Sequence, residues 1–444
     1  MKCRNPFREI YIYWTSIIYV TGWKLFFLIA IVQLFIKGIQ YNIVLKCLFP
    51  ILSYYNINPT KLQLYSVIVG TPWTFKPLIG IISDLFPLFG YHKRYYHLLF
   101  VIISSLFSFL LAITNSSNPV VITFVFFVYS YETVALDLLT ESKCNELMRD
   151  CPEIRNNIST FIQLMNAIGG LIMTSILGPL FDDNINNKYN SNEYNNNSMV
   201  SNEKLNDSPF TIFYWFTFII AFIPIISFKW YSELVIEYPY RKWYQRIITF
   251  DYRKWSENKN MFILISTIAI AGPIAALLSG LLSIYIGIIF SITMLSMGIL
   301  GTYFTMPKIM MKVTLFIILI GLNKPYLGTA LDYFYTAKPD CFPDGPNFDY
   351  TYYITWTGII GYLAQLLGII FYRVVLVRFK FRTVLIITFI ISSVAGLTDL
   401  AMILKWNKML NIPDKYFYMF ASAMMGNLTY ILWYIPVLNI ISII

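Results

Sequence analysis

The sequence predicts an all-α, polytopic membrane protein, a helical bundle built from two pseudo-symmetric halves. Three observations carry that prediction. Charged residues make up only 13% of the 444 residues and hydrophobic ones 57%, where a soluble domain carries about 25% charge; mean hydropathy is +0.61. Apolar runs near the roughly 20 residues needed to cross a bilayer recur along the whole chain. Segments also repeat: Leu25 to Gly38 (LFFLIAIVQLFIKG) lines up with Leu315 to Gly328 (LFIILIGLNKPYLG), and Gly70 to Gly80 with Gly358 to Gly368, each followed by two isoleucines. Parallel repeats of this kind build carriers from two related bundles.

The residues before 25, MKCRNPFREIYIYW onward, lack a short apolar core with a small-residue cleavage site and read as a cytoplasmic or interfacial lead-in. Spans follow near 25–51, 62–84, 97–114, 120–140, 158–180 and 210–230, giving a six-helix bundle over 25–230. Residues 231–260 form a basic connector, and spans near 261–281 and 283–306 an inserted pair. Four more spans, near 309–336, 350–376, 383–404 and 416–441, belong to a second bundle over 308–444. A complete half holds six, so this half is expected to be incomplete. Twelve spans place both ends on one side. Lysine and arginine fix that side as cytoplasmic, with about 22 on the inner segments against 8 on the outer ones and three within the membrane. Residues 181–209, with NINNKYNSNEYNNNSMVSNEKLND at their centre, are too polar to bury a core and are read as a disordered outer loop. Their two glycosylation sequons arise readily by chance in such a tract.

The most informative stretch is Leu64 to His97, LYSVIVGTPWTFKPLIGIISDLFPLFGYHKRYYH. Lys76 falls inside an apolar run between Trp73 and Pro77, and the run ends in Gly80, Ser83, Asp84 and the basic turn holding Lys93 and Arg94. A charge at that depth costs roughly 2.5–3.5 kcal/mol on insertion scales and persists where it faces a polar cavity or a partner. Taken together, PWTFKPLIGIISD and PLFGYHKRYY resemble the signature of the folate–biopterin transporter family, a branch of the major facilitator superfamily. The similarity extends over about residues 20–180 and 309–400 and includes ALDYFYT, residues 330–336. It implies a major-facilitator-type bundle, an anionic folate or pterin as substrate, and proton-driven symport by alternating access at the plasma membrane. It also places Asp84 and the turn at Lys93 and Arg94 in the gating loop. The partner it gives Asp84, at the start of an eleventh core helix, falls outside the twelve spans counted here.

Other candidate residues come from charge and depth. Lys37 lies mid-way along the first span and Lys324 near the repeat-equivalent position, so each half brings a cation into its first helix, where a glutamate-tailed substrate would be bound. With Lys76 and Asp332 they are expected to line the substrate site. Trp73, Tyr333 and Trp356 are rings that a flat pterin would stack on. In the fourth span, Asp137 and Glu141 share a helical face at i, i+4 and Glu132 lies deeper. Asp137 or Glu132 would exchange the coupling proton, or else would neutralise Lys76 or Lys37.

Several functions are excluded by what the sequence lacks. No GxxxxGK[ST] loop for ATP, no HExxH and no nucleophile elbow occur, so no enzyme is read here. Cys3, Cys47, Cys144, Cys151 and Cys341 show no ligand spacing, and His92 and His97 do not share a helical face, so no metal or cofactor is called for. The net charge of +10 belongs to membrane-flanking segments rather than to a nucleic-acid surface. The partners are a small anion, protons and lipid. The same lysines would also serve a carrier of another organic anion or nutrient, and a truncated, non-transporting membrane protein is the rival reading.

Overall fold

Hydrocarbon offers a backbone no partner but itself, so a chain this apolar folds into helices that satisfy every amide internally. The computed structural model describes residues 6–55, 57–195, 210–231, 233, 250–281, 284–323, 328–337, 343 and 345–443, and among them only helices and turns occur apart from one isolated bridge at Leu88 and Tyr91. Among the described residues, ten helical stretches are long and apolar enough to cross a bilayer. The chain divides into two units, one holding residues 1–54, 143–209 and 322–444, the other 55–142 and 210–321.

In the first unit, α1 (Pro6–Ile31), a π-helical segment (Val32–Gln40) and α2 (Tyr41–Tyr54) form one long rod. It kinks at Gly22, whose φ of 68° suits a residue without Cβ. The kink sets off an N-terminal portion that is helical from Pro6 and docked on α7 (Arg155–Asn195): the Tyr13 hydroxyl lies 3.2 Å from that of Thr160, and Phe26 stacks on Phe161 at 4.8 Å. The π segment packs on α7 backbone to backbone. A Cβ on Gly38 would stand 2.7 Å from the Gly169 Cα, and one on Gly169 would strike the Leu34 carbonyl oxygen. Such glycine contacts are how helices approach closely where burial supplies no net drive. The helix α7 then runs to Asn195, well into the asparagine-rich tract read above as a loop. Elongation from a formed helix adds one hydrogen bond per residue fixed, so a polar tail can continue it.

The same unit contains α12 (Gly328–Thr336), a π-helical segment (Thr351–Trp356) leading into α13 (Thr357–Val374), α14 (Phe381–Ile403), the short α15 (Trp406–Met409) and α16 (Asp414–Tyr418), and a third π segment (Met419–Met424) leading into α17 (Met425–Ile441). Helices α7 and α13 meet as an antiparallel ladder of small residues. Gly178 faces Thr355, Thr174 faces Gly358, and Gly170 faces Tyr362, one step every three or four residues on each side. The Gly178 amide donates to the Thr355 hydroxyl at 3.0 Å, and that hydroxyl donates to the Thr174 carbonyl at 2.8 Å. Below the ladder lies a core of Ala167, Ile369, Tyr372, Leu376, Val384, Ile431, Leu432 and Ile435.

In the second unit the span expected over 62–84 is broken. Helix α3 (Pro59–Gly70) gives way to a 3-10 turn (Thr71–Trp73), and α4 (Lys76–Leu85) starts afresh. Pro72 and Pro77 cause this, because neither can donate a backbone hydrogen bond and each ring clashes with the preceding turn. The hydroxyls of Thr71 and Thr74 donate to the carbonyls of Ile68 and Thr71, both at 2.7 Å, adding to the backbone amides of Thr71 and Thr74 that the same carbonyls accept. Helix α4 ends in a tight turn in which Phe89 (φ 52°) and Gly90 (φ 81°) sit between Leu88 and Tyr91, whose amides and carbonyls pair at 2.9 Å. Positive φ at both central positions is a type I′ turn, which needs glycine at the second of them.

Helices α5 (Arg94–Thr114), α6 (Pro119–Asp150) and α8 (Thr211–Phe222) continue this unit, as do α9 (Tyr252–Leu281) and α10 (Ile284–Thr305), the pair read as an insertion. These two hold each other where Gly301 admits Leu264, and α9 rests on the broken span where Gly272 meets Thr74. Helix α11 (Lys308–Asn323) precedes α12, with Lys324 lying outside the described residues. The fold class read from the sequence, a polytopic all-α bundle, is the one observed.

Candidate functional site

The second unit places the Lys76 stretch. Because the helix breaks just before it, Lys76 is the first residue of α4, where the positive end of the helix dipole disfavours a cation. Two carboxylates one turn apart on α6 offset this: Asp137 and Glu141 each accept a hydrogen bond from Lys76 Nζ at 2.8 Å. Asp137 is fully buried and the lysine side chain only 19% exposed. Trp73 completes the group, with Nζ 5.5 Å from its ring centre, and packs on a small core of Ile79, Val134 and Ala135. Lys76 is thus ion-paired by the carboxylates that share its face, and the group carries a formal charge of −1. Glu132, further along α6, is buried.

The residues expected from the sequence to gate lie at the end of α4 and the start of α5. Asp84 is exposed. Lys93 is buried, and its backbone amide donates to a Glu233 carboxylate oxygen at 3.2 Å. The Arg94 guanidinium lies over the rings of Tyr91 and Phe228 at 5.2 and 5.5 Å. His97, fully buried, has Nε2 3.0 Å from the Pro224 carbonyl and Nδ1 3.3 Å from the Tyr231 hydroxyl, so it is a core histidine pinning α5 to the end of the span at 211–230.

The first unit holds Lys37. It lies in the π-helical segment, 4% exposed, with Nζ 3.4 Å from the Tyr434 hydroxyl and 5.5 Å from that ring's centre. Tyr430 stacks on Tyr434 with ring centres 5.3 Å apart. Gln33 and Gln40 on the same segment are buried, as are Gln163 on α7 and Gln365 on α13. Tyr362 closes the group, donating to Asn42 Oδ1 at 2.6 Å, while Asn42 donates to the Gly38 carbonyl at 2.5 Å. Cation, amides and stacked phenols are the groups that recognise a carboxylate and a flat, hydrogen-bonding heterocycle.

Asp332 and Tyr333 belong to a different group of the same unit. Tyr353 donates to Asp332 Oδ1 at 2.6 Å, and Lys46 Nζ lies 5.8 Å from the Tyr353 ring centre. Next to them Tyr335, Phe348, Tyr353 and Tyr418 pack ring on ring, with Tyr335 and Tyr418 centres 4.4 Å apart. Asp399 accepts from Ser422 at 2.7 Å and from Tyr335 at 3.3 Å. Tyr333 packs edge-on against Phe49 at 4.9 Å rather than in this cluster, and Trp356 is exposed. A cavity of about 500 Å³ beside Tyr416, Phe420 and Met424 is lined almost wholly by apolar atoms and suits no anion.

Sequence reasoning finds the lysines and passes over the amides, although Gln33, Lys37 and Gln40 recur along one apolar span. Tyr430, Tyr434 and Asp399 come from distant helices and carry no local signal.

A model of the BT1 family matches residues 37–188 and 259–444. The chain belongs to the BT1 family. Every candidate residue named above from the sequence falls within that match, which also takes in the α9–α10 pair that the sequence resemblance leaves out. Similar BT1-type relatives are "Folate transporter 1" of Plasmodium falciparum (isolate 3D7), 26% identical over 128 residues, and "Probable folate-biopterin transporter 2" of Arabidopsis thaliana, 26% identical over 119 residues. These alignments cover 28% and 26% of this chain, and only 25% and 23% of the respective relatives. Among solved structures, an auto-inhibited POT family peptide transporter aligns over 95% of this chain and 87% of its own, with a TM-score of 0.52 at 12% identity. That likeness shows the fold alone: this BT1-family membrane protein shares the helical architecture of that chain.

Proposed function

We propose that this chain carries folates or related pterins across a membrane as a secondary carrier, coupled to protons and working by alternating access. The observation that carries the reading is Lys37, buried mid-span in a BT1-family protein, 3.4 Å from the Tyr434 hydroxyl and on a segment whose Gln33 and Gln40 are also buried. A positive charge retained at that depth is costly unless it serves a ligand or a partner. An incoming carboxylate would gain a charge-assisted bond in a medium of low dielectric. Lys76, already held by Asp137 and Glu141, serves the protein's own architecture or its gating. For the coupling proton, the buried carboxylates Glu132 and Asp332 are the candidates that remain once Asp137 is committed to Lys76. The names of the relatives agree with a folate or pterin as cargo.

The test is uptake of labelled folic acid into proteoliposomes holding the purified chain. Saturable uptake is expected, competed by unlabelled folate and by free pterin, faster under an inward proton gradient and slowed by a protonophore. Uptake no greater than in empty vesicles would reject the carrier reading. Uptake indifferent to the gradient would reject coupling alone, and equal competition by unrelated organic anions would reject the cargo.

A further inference from the structure

The buried amides of the first unit contain an anomaly. Gln163 is fully buried, and among the described residues neither its Oε1 nor its Nε2 has a hydrogen-bond partner. A buried amide left unmade on both sides is costly, and proteins seldom keep one without a use for it. Gln365, also buried, makes no side-chain hydrogen bond among the described residues.

Contacts already described place these two side chains near Lys37. The ladder between α7 and α13 advances from Gly178–Thr355 through Thr174–Gly358 to Gly170–Tyr362. Its next step sets Asn166 opposite Leu366, with Gln163 one turn further along α7 and Gln365 adjacent on α13. On the other side of α7, Gly169 meets Gly38, the residue after Lys37. The contacts Tyr13–Thr160, Phe26–Phe161 and Gly38–Gly169 advance together along both elements, so the two run in the same direction. Counting six residues back from that glycine contact brings Gln163 level with Val32, next to Gln33, and Lys37 roughly 7 Å further along the axis at 1.5 Å per residue. The cation and the unsatisfied amide thus stand about two turns or less apart along the axis of α7.

We propose that Gln163, assisted by Gln365, is the residue that reads the heterocycle of the substrate, while Lys37 holds its carboxylate tail. A primary amide presents one donor and one acceptor side by side, the complement of the amide-and-amine edge of a pterin. A bound pterin would supply the partners that Gln163 lacks. This inference rests on the folate or pterin reading above.

Binding to the purified, full-length chain tests it with three probes: folic acid, free pterin as the head alone, and p-aminobenzoylglutamate as the tail alone. Gln163→Leu is expected to weaken folic acid and pterin about tenfold and to leave the tail fragment unaffected. Because the substitution removes an unsatisfied amide, the ligand-free protein should melt no lower than the parent. Equal weakening of head and tail fragments, unchanged pterin binding, or a lower melting temperature without ligand would each overturn the assignment, the last by revealing a structural partner. A parent chain that binds none of the three probes would instead sink the cargo reading, and this inference with it.

Discussion

Two lysines sunk in apolar helices, Lys37 and Lys76, look alike in the sequence and differ in what surrounds them. Lys76 stands at a helix start forced by Pro72 and Pro77, and two carboxylates of α6 hold it at 2.8 Å. Lys37 sits within a continuous π-helical segment, against a phenol and with buried Gln33 and Gln40 on the same segment. In the first arrangement two carboxylates already hold the cation. The second brings an aromatic hydroxyl to the amine, the setting in which the proposed substrate carboxylate would bind. Depth in the membrane therefore marks both residues as unusual, and the proposal assigns the first to the protein's own stability and the second to a ligand.

The largest effect that would sharpen this contrast comes from Lys76. Lys76→Met leaves Asp137 and Glu141 facing each other in a buried setting, and breaking a buried pair from one side typically costs 3–5 kcal/mol. Thermal unfolding of the detergent-purified protein should fall by many degrees, and the triple variant Lys76→Met, Asp137→Asn, Glu141→Gln should recover most of the loss. A single variant that melts like the parent would show that the ion triad contributes nothing, and the distinction between the two lysines would collapse.

How much of this the sequence announces depends on the range of the interaction. The spans follow from local hydropathy, and the i, i+4 spacing of Asp137 and Glu141 already aims both at one partner. The break before Lys76 was signalled by prolines at 72 and 77 inside an apolar run, yet the run's continuous hydropathy favours reading it as one helix. Gln163, Gln365 and Tyr434 could not be assembled in advance. The elements that carry Gln163 and Gln365 are joined to the Lys37 segment through the glycine contact at 38–169 and the small-residue ladder of α7 and α13, and no period in the sequence records which faces of distant helices will touch. Likewise Asp332 looks like a neighbour of Lys37 from the repeat, whereas its hydroxyl partner, Tyr353, comes from the next span.

The second effect in size concerns Lys37. Lys37→Gln exchanges the cation for a side chain of similar reach, and a charge-assisted hydrogen bond contributes about 1.5–3 kcal/mol, so folic acid should bind roughly 10- to 100-fold more weakly. Lys37→Arg, which keeps the charge, should restore part of that affinity. The readout is equilibrium binding, and it separates the two lysines: loss of binding in a folded protein marks Lys37, loss of fold marks Lys76. Binding of folic acid unchanged by Lys37→Gln would refute the anion-receiving role outright.

The smallest effect tests what the phenol contributes. Tyr434→Phe keeps the ring that lies 5.5 Å from Lys37 Nζ and stacks on Tyr430, and removes the hydroxyl 3.4 Å from the amine. A neutral hydrogen bond contributes about 0.5–1.5 kcal/mol, and at 3.4 Å this one belongs at the weak end. If the hydroxyl only occupies the amine until a carboxylate arrives, Tyr434→Phe should bind folic acid as well as the parent or up to about threefold more tightly, since the anion no longer displaces a competing group. If instead the hydroxyl donates to the bound substrate, affinity should fall by a similar factor. The sign of this small change, measured alongside Lys37→Gln, decides whether Tyr434 guards the cation or joins it in binding.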